Sequence, residues 1–470
     1  FTHHVSDDII KELAKIVGWK NVLTMKVELL PFKYDASSFI GKTPLAVVLP
    51  ENEVQVSKVM ELSYQVGFPI FLRGGGSSLT GGPLPTTDDS VVLSFSNMNT
   101  IGEVSVVDGY VFSEPGTRLD DLNAYLSTFE YMFPPDPASS SVATVGGCIA
   151  GNSGGMRGAK FGQVKNWVLG LNVVLPGGQR LRVGGKTLKL RQGLDLTSLL
   201  IGSEGTLAAI TGAYLKIWPS PEKIARILAY YDGIFHLMKA VAEIKKSKLV
   251  PLVMEFLDEG MLDSVRKVYG DVIEKKGENL LLIDIDGPPE AIERYVDTAL
   301  KCMKNDGLRM VKVAETPEEM ERAYLARRAA FPSVLRLRRK PTEGVLVADI
   351  VIPPSKLVET IEDIKKLVEE SGLRAPLGGH VGDGNLHSDI LYDTESEEEV
   401  KKAWSLLERM AEIAIKKGGS VSAEHGIGLE KKTLLKKEFE YKGSSKALEL
   451  MEKIKEVFDP KGLLNPGKVV

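Results

Sequence analysis

The tightest constraint on what this chain can fold into is its glycine, which gathers in separate clusters between short strand-like runs. Arg73-Gly74-Gly75-Gly76-Ser77-Ser78-Leu79-Thr80-Gly81-Gly82 follows directly on the strand-like Phe68–Arg73. Further clusters are Ala143-Thr144-Val145-Gly146-Gly147, Gly151-Asn152-Ser153-Gly154-Gly155-Met156-Arg157-Gly158 and Ile201-Gly202-Ser203-Glu204-Gly205-Thr206-Leu207. Each glycine carries extra backbone freedom that folding must remove, so such density is costly unless backbone has to approach a ligand closely. Successive N–H groups in the first loop suit a diphosphate, with the hydroxyls of Ser77, Ser78 and Thr80 as further donors. Several clusters in one region suit a large cofactor touched at many points. The first cluster is not GxGxxG, because Leu79 stands at the last glycine. Gly185-Lys186-Thr187 and Gly41-Lys42-Thr43 have Arg180 and Ala36 where a Walker loop needs its first glycine. These mismatches count against the common nucleotide folds.

The chain is 470 residues long, enough for two or three domains. It opens like a βαβ unit, with a strand at Ala46–Pro50, a helix ending at Gly67 and a strand at Phe68–Arg73. Between residues 73 and 212 helical periodicity is poor. Pro219-Ser220-Pro221 marks a boundary, after which come amphipathic helices over residues 354–372 and 396–417 and strands such as Leu280–Gly287. The expected organisation is residues 1–220, then an α+β domain over 221–432, then a segment at 433–470 that returns to the first domain. A net charge of −4 argues against a nucleic-acid-coating protein. The two cysteines, Cys148 and Cys302, are too few for an iron–sulfur cluster of the chain's own. No apolar run approaches the roughly 20 residues of a membrane helix. The expected location is the cytoplasm, with peripheral membrane attachment through a partner left open.

The later part holds a tighter constellation. His380-Val381-Gly382-Asp383-Gly384-Asn385-Leu386-His387 places an Asp-Gly turn signal between two apolar runs, and a hairpin there brings His380 and His387 together. Ser422-Ala423-Glu424-His425-Gly426-Ile427-Gly428 follows the next helix. Two imidazoles and a carboxylate make a divalent-metal site with open positions, and histidine is the usual acid/base group near neutral pH. Arg327 and Arg328 lie in a helical pattern. A guanidinium there could grip a carboxylate, but a solvated helix face is the favoured reading of these residues alone.

Together these pieces resemble the FAD-dependent oxidoreductases of the vanillyl-alcohol oxidase (PCMH-type) superfamily. The nearest branch holds glycolate oxidase flavoprotein subunits, D-lactate dehydrogenases and D-2-hydroxyglutarate dehydrogenases. The carriers are RGGGSSLTGG, PDPAS, TVGGCIAGNSGGMRGAKFG, IGSEGTL, GHVGDGNLH, AEHGIG and FDPKGLLNPGK, in that order over about Asp35 to Lys468. The resemblance implies an α+β protein: a two-subdomain PCMH-type FAD-binding domain, a cap domain with an antiparallel sheet, and a C-terminal segment returning to the flavin. It implies that the Gly74, Gly75, Gly76, Ser77 and Ser78 loop holds the FAD diphosphate. Pro135, Asp136, Thr144, Gly146, Gly147, Asn152 and Gly162 would line the isoalloxazine, ribityl or diphosphate. The backbone near Glu204 and Ile210 would reach the adenosine half, and Asn465 would come back to the flavin. Arg73, Ser139, Ser153 and Gly154 join this set. His380, His387 and Glu424 match the branch's metal ligands (Zn, Mn, Co or Fe), His425 its catalytic base and Arg327 its carboxylate-binding arginine.

The implied reaction is oxidation of a D-2-hydroxy acid to the 2-oxo acid, with hydride passing to flavin N5. Electrons then leave to an iron–sulfur protein, an electron-transfer flavoprotein or a quinone; a homodimer is the assembly considered. Three positions depart from the hydroxyglutarate subgroup or bear on the cofactor. Val347 stands where that subgroup tends to carry lysine, and Asp389 where it carries asparagine. Both favour a smaller acid such as D-lactate or glycolate. Cys148 lies inside a flavin-lining motif, but the histidine often used for covalent links has no counterpart in the Gly74–Ser78 loop, so non-covalent FAD is expected. Two other readings compete. A flavin-dependent alkyl transferase of the ether-lipid synthase type uses a run of histidines not found here. A non-catalytic flavin-binding subunit has no need of His380, His387, Glu424 and His425 together.

Overall fold

The computed structural model describes residues 2–270, 273 and 279–470. The chain forms two compact units. One comprises Phe1–Ser153, Gln163–Ser220 and Glu424–Val470; the other Gly154–Gly162 and Pro221–Ala423. Helix makes up 41% and strand 23%, the mixed composition of an α+β protein.

The first unit contains two main sheets. Strands β1 (Val22–Leu23), β2 (Ala46–Val48), β3 (Ile70–Arg73) and β4 (Val91–Ser94) form one, in the order β1-β2-β4-β3, with β2, β4 and β3 parallel. The helix Glu53–Val66 makes the crossover. Asn52 caps it by accepting from the Gln55 N–H, and Gly67 ends it at φ 95°. Val47, Phe71 and Val92 are fully buried, as parallel strands covered on both faces should be. The second sheet is built from β5 (Ile101–Ser105), β6 (Tyr110–Ser113), β8 (Val168–Val174), β9 (Arg180–Gly184) and β10 (Ala209–Lys216), all antiparallel, in the order β5-β6-β10-β8-β9. The short strands β7 (Tyr131–Met132) and β11 (Trp218–Pro219) pair with one another. The helix Leu119–Ser127 lies in the stretch expected to be poor in helix. Leu119, Leu122 and Leu126 give it a buried stripe at helical spacing that its glycine- and serine-rich surroundings obscure. After the helix Ser445–Phe458 the tail turns non-helical and joins the first sheet. The Ile70 N–H donates to Leu463 O at 2.8 Å, and the Asn465 N–H to Ile70 O at 2.7 Å.

The second unit is built on seven antiparallel strands: β12 (Lys223–Tyr231), β13 (Val253–Leu257), β14 (Asn279–Gly287), β15 (Leu308–Ala314), β16 (Glu343–Val351), β17 (Leu377–His380) and β18 (Asn385–Asp393). Their order is β15-β12-β14-β13-β17-β18-β16. Paired residues in antiparallel strands share a face and successive residues alternate, so the register sorts the side chains. One face carries Ile227, Met254, Phe256, Ile283, Ile350 and Leu386, all buried. The other carries the polar set: Arg226 opposite Asp284, Glu255 opposite His380, His380 opposite Asn385, Asp349 opposite His387 and Val347 opposite Asp389.

Candidate active site

In the first unit the loop after β3 is pressed against the chain leading into the short helix Val145–Gly151. A Cβ on Gly74 would lie 2.5 Å from Thr144 Oγ1, and one on Gly75 only 2.1 Å from the Val142 carbonyl oxygen. No other residue fits that approach. Thr144 caps the helix, accepting from the Gly147 N–H at 3.3 Å. Asp35 braces the far side of the loop by accepting from the Ser37 N–H at 2.8 Å and the Gly81 N–H at 3.1 Å, and burial pushes its carboxyl above the ordinary range. Among the described residues nothing accepts from the N–H groups of Gly75, Gly76, Ser77 and Ser78, and the buried Arg73 Nη1 is likewise without a partner. Orphaned donors beside a half-buried guanidinium are the donor set a diphosphate needs.

The turn at Gly202–Gly205 and the segment at Gly426–Leu429 close into a ring with this loop. The Gly202 N–H donates to Ile149 O at 2.9 Å and the Glu204 N–H to Ala150 O at 2.8 Å, which pins their turn to the end of the Thr144-capped helix. Glu204 adopts φ 55°, and its buried carboxylate accepts from the Ile427 N–H at 3.1 Å and the Gly428 N–H at 2.9 Å. Burial raises this carboxyl, against the two N–H groups that favour its charge. The Leu429 N–H returns to Thr80 O at 2.9 Å. Asn465 Nδ2 donates to Glu204 O at 2.8 Å while its Oδ1 accepts from Lys468 Nζ at 2.9 Å, so this amide braces the ring. Lys468 is itself buried and also donates to the carbonyls of Gly82 and Leu84.

The remaining expected cofactor residues are placed as follows. Pro135 and Asp136 precede Ser139, whose carbonyl accepts from the Val142 and Ala143 N–H groups. Gly146 sits where a Cβ would meet Pro115 at 2.6 Å. Asn152, at φ 48°, accepts from the Lys165 N–H through Oδ1, and the Ser153 N–H donates to Cys148 O. Ile210 is buried in β10 opposite Val173. Gly154 and Gly162 fall in the short segment of the second unit, where a Cβ on Gly158 would lie 2.2 Å from Asp383 Oδ2. Cys148 is 3% exposed, and burial pushes its thiol up to about 12. At that value the thiolate needed for a covalent link is scarce.

In the second unit the Asp383-Gly384 turn joins β17 to β18, with Gly384 at φ 84°. The hairpin sets the His380 and His387 rings 5.1 Å apart at an interplanar angle of 86°. Each imidazole is backed by a buried acid that the sequence reading passed over. His380 Nδ1 lies 2.7 Å from Glu255 Oε1 and 2.8 Å from Oε2, and His387 Nδ1 lies 3.6 Å from Asp349 Oδ1. Both acids stand alone in apolar strands, VMEFL and VLVADIV; a lone buried acid in such a run is the signal that would have found them. The expectation of a solvated face at Arg327 is corrected. This residue is 8% exposed, and its Nε donates to Glu255 Oε1 at 2.8 Å, because the helix Pro317–Arg328 lies on the polar face of the sheet. Asp389 is buried beside His387 and Arg327, and burial pushes its carboxyl up to about 6. Val347 is its cross-strand partner, and it too is buried.

Asp349 Oδ2 also accepts from Ser422 Oγ at 3.2 Å and from the Ala423 N–H at 3.1 Å. Glu424 and His425 come next in the chain and open the last segment of the first unit. His425 Nε2 lies 3.8 Å from Glu424 Oε1, and the following Gly426 takes φ 86° before Ile427 and Gly428 grip Glu204.

The chain matches the model of an FAD binding domain over residues 44–184 and that of the FAD-linked oxidases' C-terminal domain over 220–469. It belongs to the FAD-linked oxidases. It is therefore an FAD-binding oxidoreductase. It is 34% identical to the glycolate oxidase subunit GlcD of Bacillus subtilis, covering 99% of this chain and 97% of that one. It is also 34% identical to the D-lactate dehydrogenase of Archaeoglobus fulgidus, covering 97% and 99%. Among solved structures, p-cresol methylhydroxylase aligns with a TM-score of 0.82 at 17% identity, covering 99% of this chain and 97% of that one. Alkyldihydroxyacetonephosphate synthase aligns with a TM-score of 0.76 at 19% identity, covering 98% and 84%. These two likenesses show the PCMH-type fold. No helix among the described residues is long and apolar enough to cross a membrane.

Proposed function

We propose that this oxidase is a metal-assisted dehydrogenase of a small D-2-hydroxy acid, of the D-lactate or glycolate kind, with His380, His387 and Glu424 holding the metal. The observation that carries the reading is the imidazole pair on the polar sheet face, each ring turned by its Nδ1 toward a buried carboxylate. His380, anchored through Nδ1 on Glu255, presents Nε2 as a ligand atom, while His387 Nδ1 faces Asp349 at 3.6 Å; two imidazoles with a carboxylate suit Zn, Mn, Co or Fe(II). In sequence, Glu424 follows directly on Ala423, whose N–H donates to Asp349 Oδ2 at 3.1 Å.

Bound FAD supplies the hydride acceptor, and the cation supplies a Lewis acid that eases loss of the hydroxyl proton. This chain's residues do the rest. Arg327 pairs with the substrate carboxylate, and His425 takes the hydroxyl proton as the hydride leaves C2. Val347 and Asp389 leave a second substrate carboxylate without a cationic partner at these positions, which favours a monocarboxylic acid. Relatives named glycolate oxidase subunit and D-lactate dehydrogenase support the substrate class. With only Cys148 and Cys302 available, electrons leave to a separate carrier: an iron–sulfur protein, an electron-transfer flavoprotein or a quinone.

Two variants test the assignment. His425→Ala is expected to retain FAD and to lose substrate-driven flavin reduction by 10² or more, the scale of a missing general base. His380→Ala is expected to lose metal, measured by elemental analysis, and activity with it. Normal reduction by His425→Ala, or full metal content in His380→Ala, would refute the roles given.

A further inference from the structure

The proposed roles of His380 and Arg327 leave one buried group unexplained. Glu255 is 1% exposed in the middle of β13, on a strand that is otherwise apolar. An isolated buried carboxylate costs several kcal/mol, so its retention calls for partners of matching charge or hydrogen bonding. It has two. One oxygen, Oε1, lies 2.7 Å from His380 Nδ1 and also accepts from Arg327 Nε at 2.8 Å, while Oε2 lies 2.8 Å from the same imidazole nitrogen. The three residues come from β13, the end of β17 and the helix Pro317–Arg328, and this carboxylate joins the other two.

We infer that Glu255 is a positioning residue that sets His380 and Arg327 as one unit, fixing the metal-ligand nitrogen and the substrate-carboxylate grip relative to each other. The inference rests on the reading under Proposed function. A carboxylate can only accept, so it selects the imidazole tautomer with its proton on Nδ1 and leaves the Nε2 lone pair for a cation. The same carboxylate occupies Arg327 Nε and so orients the guanidinium. The terminal nitrogens, which form the bidentate fork, make no hydrogen bond among the described residues. Cation affinity and substrate affinity should therefore fall together when this carboxylate is lost, although Glu255 is assigned no contact with either.

The test compares Glu255→Gln with Asp284→Asn. Asp284 lies on the same sheet face in an equally buried ion pair at 2.6 Å, and its partner there is Arg226, not His380 or Arg327. The amide of Gln keeps volume but must present a donor where a second acceptor oxygen stood. Co²⁺ is titrated into chelator-treated, FAD-loaded protein and followed by its visible ligand-field absorption, with melting temperature and steady-state kinetics measured in parallel. Glu255→Gln is expected to weaken Co²⁺ binding about 10- to 100-fold and to raise KM more than it lowers kcat. Asp284→Asn is expected to lower the melting temperature with Co²⁺ affinity unchanged. If the wild type binds Co²⁺ and Glu255→Gln matches it, or if Asp284→Asn loses affinity equally, the positioning role is overturned and the metal reading stands. If the wild type takes up no Co²⁺, the metal reading itself falls, and this inference with it.

Discussion

Gly75→Ala tests the cradle where the structure gives a number. The added methyl would stand 2.1 Å from the Val142 carbonyl oxygen and 2.9 Å from its carbon, both backbone atoms that no rotamer change can move. Reaching a tolerable carbon–oxygen separation requires the two loops to part by about 1 Å. Such overpacking costs about 1–3 kcal/mol. The part of that cost that appears only with both loops in their ligand-holding positions is paid on binding, a loss of about 5- to 150-fold in FAD affinity. Gly151→Ala is the control. It lies at the end of the Thr144-capped helix, its Cβ would approach nothing closer than Ser153 Oγ at 3.7 Å, and it should leave FAD affinity unchanged. Apoprotein is titrated with FAD and binding is followed by quenching of flavin fluorescence, with circular dichroism confirming the fold. Equal FAD affinity in Gly75→Ala and wild type would show that the close approach of these loops does not shape the cofactor site.

Further outcomes follow from buried groups. Burial pushes Asp258 up to about 6 from 3.8, so the native state holds its proton more tightly than the unfolded chain does. The unfolding free energy of wild type relative to Asp258→Asn should therefore fall by up to about 3 kcal/mol as pH rises from 4 through 6, then stay level; a difference that grows with pH would contradict this. Lys468→Ala removes the donor to Gly82 O, Leu84 O and Asn465 Oδ1 and should destabilise the fold by roughly 3 kcal/mol or more, read from denaturant melts. With its thiol raised to about 12, Cys148 should resist iodoacetamide in the native protein, and acid precipitation should release all the flavin to the supernatant.

The legible and illegible parts of the site divide by sequence range. The glycine clusters announce themselves because each close approach needs a local residue type, and the Asp383-Gly384 turn fixes the pairing that joins His380 to His387. What no local pattern carries is contact between distant segments. Glu255 and His380 are 125 positions apart, and Glu204 and Asn465 are 261 apart. Lys468 misleads in the other direction, since lysine is ordinarily a surface residue and here is 2% exposed. Taken alone, the residues around Arg327 favour a solvated face, because helical spacing gives the faces of a helix and not which of them meets the polar side of a sheet; only the family resemblance points Arg327 to a carboxylate.

The central claim is metal-assisted oxidation of a D-2-hydroxy acid by this FAD-linked oxidase. The most direct measurement is anaerobic. Purified holoprotein is mixed with D- and L-2-hydroxy acids, with and without chelator, and the flavin absorbance is followed. The account predicts bleaching by a small D-acid, none by its L-enantiomer, and loss of the response after chelation. Flavin that dithionite reduces but no hydroxy acid bleaches would contradict it.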